Sequence, residues 1–162
     1  RQIHDIPNTC AATIKSVSDL KLNYITIHIS SGLKALKAAK KFSGKAKLVG
    51  VTILTSLDNH ALKEIGFNKD VKRLVLHQAK LARKANLDAI VCSAQEAKIV
   101  KKVFKKEIIT PGIRFSSNIN DQKRTLTPKQ AYRNGADWLV IGRDITKGNI
   151  KKNVQTLIDH LN

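Results

Sequence analysis

Five short runs of apolar, largely β-branched residues recur along the chain, each followed by residues with helical spacing. The runs lie at 24–29, 48–54, 89–92, 108–109 and 138–141. None has a proline in its interior, and the second is almost continuously apolar, as in a strand covered on both faces. One helix is predicted over 9–20, ahead of the first run. Others follow at 33–41, 60–65, 71–85 and 94–104, from Thr127-Pro128 to about Gly135, and over 149–161. Strands alternating with helices build a parallel sheet covered by helices, an α/β fold. An open doubly wound sheet and a closed barrel both fit this count. The first strand runs into Ser30-Ser31-Gly32-Leu33, without the further glycines of a dinucleotide-binding turn, and no P-loop is present.

Local signals mark several helix starts. Pro7 holds Ile6 extended, and Asn8 or Thr9 is placed to cap the first helix; Asp70 and Ser93 are placed to cap later ones. The last two strands carry the strongest functional signal. Ile108-Ile109 leads into Thr110-Pro111-Gly112 and Arg114, and the run 138–141 ends in Gly142-Arg143. In a βαβ unit, ligands sit beyond the carboxyl ends of the strands. Two arginines and a glycine at that rim point to a pocket for a phosphate or another anion. Gln122 lies in the long loop between them and reads either as a lid residue or as a surface amide.

Other polar positions have two readings each. Thr55 and Ser56 end the second strand, as hydrogen-bond donors to a ligand or as caps. Asp5 beside His4 fits acid–base work or capping. His28, near a strand end, is a candidate acid or a core histidine. His60, His77 and His160 show no metal-ligand spacing, and Cys10 and Cys92 read as reduced core thiols, so no metal site is expected.

Charge raises a competing possibility. Thirty Lys and Arg against twelve Asp and Glu give +18, a balance that brings nucleic acid to mind. The lysines fall at helical spacing, Lys34, Lys37, Lys40 and Lys41 in one stretch and Lys72, Arg73, Lys80, Arg83 and Lys84 in another, as on solvated helix backs. Aromatic residues make up only 4% and do not interleave with the charges, so only non-specific, salt-sensitive contact with nucleic acid is expected. No apolar run approaches the ~18 residues of a membrane span. No membrane partner and a cytoplasmic location are the expectations.

A set of segments, in order, resembles the orotidine 5′-phosphate decarboxylase family. They are His4-Asp5-Ile6-Pro7-Asn8-Thr9, Ile27-His28-Ile29-Ser30-Ser31-Gly32, Val51-Thr52-Ile53-Leu54-Thr55-Ser56, Val91-Cys92-Ser93-Ala94-Gln95-Glu96-Ala97, Thr110-Pro111-Gly112-Ile113-Arg114, Asp121-Gln122-Lys123-Arg124 and Val140-Ile141-Gly142-Arg143-Asp144-Ile145-Thr146. The resemblance implies a (β/α)8 TIM-barrel type, incomplete here, with strands corresponding to about the fourth to the eighth. It implies one domain over 1–162, the C-terminal two-thirds of such a barrel, from an N-terminally shortened chain.

The family decarboxylates orotidine 5′-phosphate to uridine 5′-phosphate in pyrimidine biosynthesis, as a homodimer and without cofactor. Carried over, Arg114, Gln122, Gly142 and Arg143 would hold the phosphate and close the lid. Thr55 would contact the nucleotide, and Asp5, Ile6 and Thr9 would reach into the partner's site. The last Asp of the family's catalytic Lys-Asp-Lys-Asp array falls on Asp5, and the second Lys falls on Gln2. An amide carries no charge and delivers no acid proton. The implied partners are the nucleotide and a second copy or a complementing N-terminal fragment. The alternatives are an inactive remnant, a nucleotide-phosphate binding module, or a basic nucleic-acid-binding protein.

Overall fold

The computed structural model describes residues 2–115 and 125–161. Among them, five strands form a parallel sheet: β1 (Tyr24–His28), β2 (Lys47–Val51), β3 (Ala89–Val91), β4 (Glu107–Thr110) and β5 (Trp138–Leu139). The spatial order is the chain order, β1-β2-β3-β4-β5. Parallel crossovers are right-handed almost without exception, so an unreversed order sends every connecting helix to the same face. A doubly wound sheet reverses its order at a switch point and covers both faces. This sheet is singly wound, as the wall of an incomplete barrel is.

Burial agrees. Ile25, Ile27, Leu48, Ile90 and Ile108 point into one core, shared with helix residues such as Ile14, Leu36, Val75 and Val100. The helices are α1 (Pro7–Ser16), α2 (Gly32–Phe42), α3 (Asn59–Glu64), α4 (Val71–Lys84), α5 (Ala94–Val103), α6 (Pro128–Arg133), α7 (Arg143–Thr146) and α8 (Ile150–Leu161). Thr26, Val49 and Ala89 share the opposite face through their paired register. Gly50 faces the helices, where a Cβ would stand 2.7 Å from Leu87 Cδ1 and 2.9 Å from Ile29 Cγ1. Only glycine lets the core close there.

Several boundaries moved. α1 starts at Pro7, with Ile6 in the N-cap position and no side-chain cap, so neither Asn8 nor Thr9 caps it. Proline suits the first helical position because the N–H it lacks has no partner there. β2 stops at Val51, not at 54, since its neighbour β3 ends at Val91. β5 is two residues long for a similar reason, paired only to Ile109 and Thr110. The short helix α7 was not expected. The caps at Asp70 and Ser93 are present, and Thr127 forms a reciprocal capping box with Gln130.

Two aspartates repeat one device at the amino ends of the strands. Asp88 Oδ2 accepts from Leu48 N at 2.8 Å and from Lys40 Nζ at 2.5 Å. Asp137 Oδ2 accepts from Ile108 N at 2.8 Å and from Lys101 Nζ at 2.7 Å. Each carboxylate thus ties the start of one strand to the preceding helix and to the strand beside it. Both ion pairs are partly exposed, so the charge attraction is worth at most about 1 kcal/mol. Satisfying the strand's N–H weighs more.

On the face away from the helices, Glu107 accepts from Tyr24 Oη at 3.0 Å and from Trp138 Nε1 at 3.2 Å, and pairs with Lys47. Side chains from four strands meet at this carboxylate. Its pKa is lowered, first by the Lys47 hydrogen bond.

Replacing Asp137 by alanine leaves the Ile108 N–H without its acceptor and is expected to cost about 1–3 kcal/mol. Urea unfolding measures the loss. Ligand binding at the opposite end of the strands is expected to be unchanged.

Candidate phosphate-binding site

At the carboxyl end of β4 the chain turns through Pro111-Gly112, with Gly112 at φ 76°, a left-handed conformation that glycine adopts freely. Arg114 follows, its N–H donating to Leu126 O at 3.1 Å. Its guanidinium Nη1 lies 2.7 Å from Asp144 Oδ1, with side chains only 9% and 4% exposed. The other carboxylate oxygen, Asp144 Oδ2, accepts from Phe115 N at 2.9 Å. Asp144 is the second residue of α7, immediately after Arg143. The buried pair therefore joins the segment after β4 to the segment after β5. A guanidinium has five N–H donors, so this contact orients the fork without exhausting it.

Gly142 precedes α7. Nothing among the described residues lies within 4 Å of where its Cβ would sit. Ile113, Ala94, Ala131 and Ala136 pack beneath as a second small core, against Leu126, Leu139 and Ile141. The rim at β4 and β5 is thus seated on packed side chains.

The remaining candidates lie elsewhere. Gln122 falls outside the described residues. Thr55 is half-buried beyond the end of β2. Its neighbour Thr52 is buried, its hydroxyl donating to Val91 O at 2.7 Å, which ties β2 to β3. Gln2, Asp5 and Thr9 gather at the far edge of the sheet, on a cleft of about 900 Å³ running along β1 past Thr13 and Thr26. Ile6 beside them is 66% exposed. Ile3 holds this segment to the sheet, accepting from His28 N at 2.8 Å and donating to Thr26 O at 3.0 Å. Asp5 Oδ1 accepts from Ile6 N at 2.7 Å. The Cys10 thiol donates to Asp5 O, and burial pushes its pKa up. Arg114, Gly142 and Arg143 therefore form one group, and Gln2, Asp5 and Thr9 another, with β2 and β3 between.

His28 is half-buried, its ring 5.1 Å from that of His4, which shares a 3.2 Å hydrogen bond with Ser30. Desolvation, then the charge of His4, lowers the His28 pKa. That keeps its imidazole neutral near pH 7, against a role as an acid. Asp144 is the site residue that reading the sequence missed. The available signal was an acid directly after the arginine at a strand mouth.

Comparison with known proteins places the chain in a family and a fold. The model of the orotidine 5′-phosphate decarboxylase / HUMPS family matches residues 1–156. A curated relative from Wolbachia sp. subsp. Brugia malayi, named orotidine 5′-phosphate decarboxylase, is 48% identical over 97% of this chain and 72% of its own. One of the same name from Ehrlichia chaffeensis is 46% identical over 99% of this chain and 71% of its own. The crystal structure of orotidine 5′-phosphate decarboxylase from Lactobacillus acidophilus superposes with a TM-score of 0.83 at 29% identity, covering 99% of this chain and 73% of that one.

Breaking the buried pair by Asp144→Ala strands a charge and is expected to cost about 3–5 kcal/mol in denaturant unfolding. His28 gives a separate signature. Its folded pKa lies below the ordinary histidine value of 6.5, so the unfolded chain binds more protons between the two values. Its contribution to stability is present above 6.5 and is lost as pH falls through that window. A series of unfolding midpoints from neutral to mildly acid pH is expected to decline less steeply in His28→Gln.

Proposed function

We propose, because the chain belongs to the orotidine 5′-phosphate decarboxylase / HUMPS family, that its rim at β4 and β5 grips the phosphate of orotidine or uridine 5′-phosphate. The family is one of enzymes, and pyrimidine biosynthesis is its setting. What supports the assignment to this rim is the buried Arg114–Asp144 pair. It fixes one arginine fork and, through Asp144, the start of the helix that bears Arg143. Arg143, Gly142 and Gln122 are the further phosphate contacts, and Thr55 is a contact to the nucleotide.

The second group has a different task. Asp5, Ile6 and Thr9 serve the neighbouring subunit's site in a homodimer. Their exposure on the edge away from Arg114 favours that role over a contribution to the same pocket. Gln2 occupies the place of the family's proton-delivering lysine. The chain is, by its family, a decarboxylase of orotidine 5′-phosphate; an amide at Gln2 neither stabilises carbanion charge nor supplies the proton, so its turnover is expected to be slower than that of relatives with the lysine. Residues 1–162 act as one unit of barrel wall. No helix among the described residues is long and apolar enough to cross a membrane, and a cytoplasmic location suits the metabolic setting.

Titration with uridine 5′-phosphate tests the grip. Arg143→Ala removes charge-assisted hydrogen bonds and is expected to weaken binding about 10- to 100-fold. Equal affinities in the two proteins would refute the phosphate assignment. Release of labelled carbon dioxide from orotidine 5′-phosphate is expected to be slow and to rise in Gln2→Lys; turnover that Gln2→Lys leaves unchanged would overturn the role given to Gln2.

A further inference from the structure

α2, α4 and α5 lead into the adjacent strands β2, β3 and β4, and α4 packs against both of the other two helices. The three helices therefore end side by side, at the amino ends of the strands and opposite the Arg114 rim. Each last turn holds two bases: Lys40 and Lys41, Arg83 and Lys84, Lys101 and Lys102. One base at a helix end is ordinary, since it answers the partial negative charge of the last carbonyls. Here the positive charge exceeds that need. Lys40 and Lys101 are paired with Asp88 and Asp137. Lys41, Arg83, Lys84 and Lys102 remain exposed, joined by Lys45 and Lys105 in the loops that follow. The one acid within the three helices is Glu96, and it is buried. A second observation falls at the same place. Between the ends of α4 and α5 lies a hollow of about 190 Å³, with Arg83, Lys102, Lys105 and Lys106 in its lining. Lys106 braces the wall, donating to Asn86 Oδ1 and Leu87 O, each at 2.8 Å. Among the described residues no carboxylate lines the hollow. Like charges gathered around one hollow repel each other, and an anion seated among them removes that cost.

We propose that this basic rim binds the phosphate backbone of double-stranded nucleic acid, with one phosphate seated in the hollow between α4 and α5. Helices packed about 10 Å apart spread the row over roughly 20 Å, a length along which a duplex carries about twelve charges. Across these helices and the loops after them, the one large apolar side chain exposed is Phe42, and the Lys41 ammonium lies over its ring at 6.0 Å. That leaves little to insert into a bilayer and no row of rings on which single-stranded bases stack. A row made mostly of lysines contacts phosphates and ignores base sequence.

Fluorescence anisotropy of the whole chain with a labelled DNA duplex of mixed sequence, at about 0.1 M salt, tests the rim. Log K is expected to fall against log salt with a slope of about −4. Arg83→Glu, Lys102→Glu and Lys105→Glu together are expected to weaken binding about 100-fold and to flatten that slope by about three. A control with Lys34→Glu, Lys72→Glu and Lys151→Glu makes the same change in net charge at exposed positions away from the rim. It is expected to stay within about threefold of wild type, since screening confines exposed charges to about 10 Å. Uridine 5′-phosphate is not expected to compete, because its proposed rim lies at the other end of the strands. The proposal is overturned if both triple variants weaken binding alike, if binding is indifferent to salt, or if uridine 5′-phosphate displaces the duplex. Tighter binding of single-stranded DNA of the same length overturns it too, as does capture by phosphatidylserine vesicles without binding of duplex. Should the rim variant fail to fold, amide shifts of wild type on adding duplex decide: they map to 83–86 and 102–106, or the proposal fails.

Discussion

Everything in this molecule follows from five parallel strands laid down in chain order. Parallel neighbours need long crossovers, and right-handed crossovers in an unreversed order stack on one side. One face of the sheet is therefore a continuous apolar surface under helices, with Ile25, Ile27, Leu48, Ile90 and Ile108 in its core. Every strand then points its carboxyl end to the same rim. Gly50 marks how closely the layers approach, and Asp88 and Asp137 fasten the opposite rim by meeting backbone donors that the ladder leaves open. The aspartate ties sit at one end of the strands and the proposed phosphate rim at the other.

The charged contacts differ in what they do. Lys40–Asp88 and Lys101–Asp137 are partly hydrated, and their value lies in the strand N–H each aspartate accepts. Arg114–Asp144 is nearly dry. Removing two charges from water costs several kcal/mol per ion, which their attraction offsets only when geometry is good and the remaining polar atoms are met. Here Asp144 meets both the guanidinium and the Phe115 N–H. Such a pair adds little net stability compared with an apolar substitute, but it permits one arrangement of the two segments. It is a device for position.

What the sequence disclosed depended on how local the cause was. Strands in the β-branched runs, the caps at Asp70 and Ser93 and the helix start at Thr127-Pro128 are set by neighbours a few residues away, and all were legible. So was the pairing of the rim around Arg114 and Arg143, from strand–glycine–arginine spacing. The aspartate ties were not, because Asp88 meets Leu48 and Asp137 meets Ile108, far off in the chain. The choice between doubly wound sheet and barrel wall was open for the same reason: it is decided by strand order, which no local pattern carries. Pro7 was read as a restraint ahead of the helix, whereas it is the helix's first residue.

Strand order also separates the two groups of candidate residues. Arg114 follows β4, and Gln2 and Asp5 lie beyond β1, at least three strand spacings away, roughly 14 Å along the sheet. On the proposed reading, the phosphate is held at one edge while the base extends toward residues at the other. A neutral amide at Gln2 then removes proton delivery and leaves the arginine rim intact, since no described contact joins the two. The lysines on the outer faces of α2 and α4 act at longer range. Exposed and spread over helix backs, they draw anions toward the molecule in a salt-dependent way without choosing among them. On the proposed reading, selection falls to the oriented forks at the rim, where a guanidinium held by a buried carboxylate would present fixed donors to a phosphoryl group.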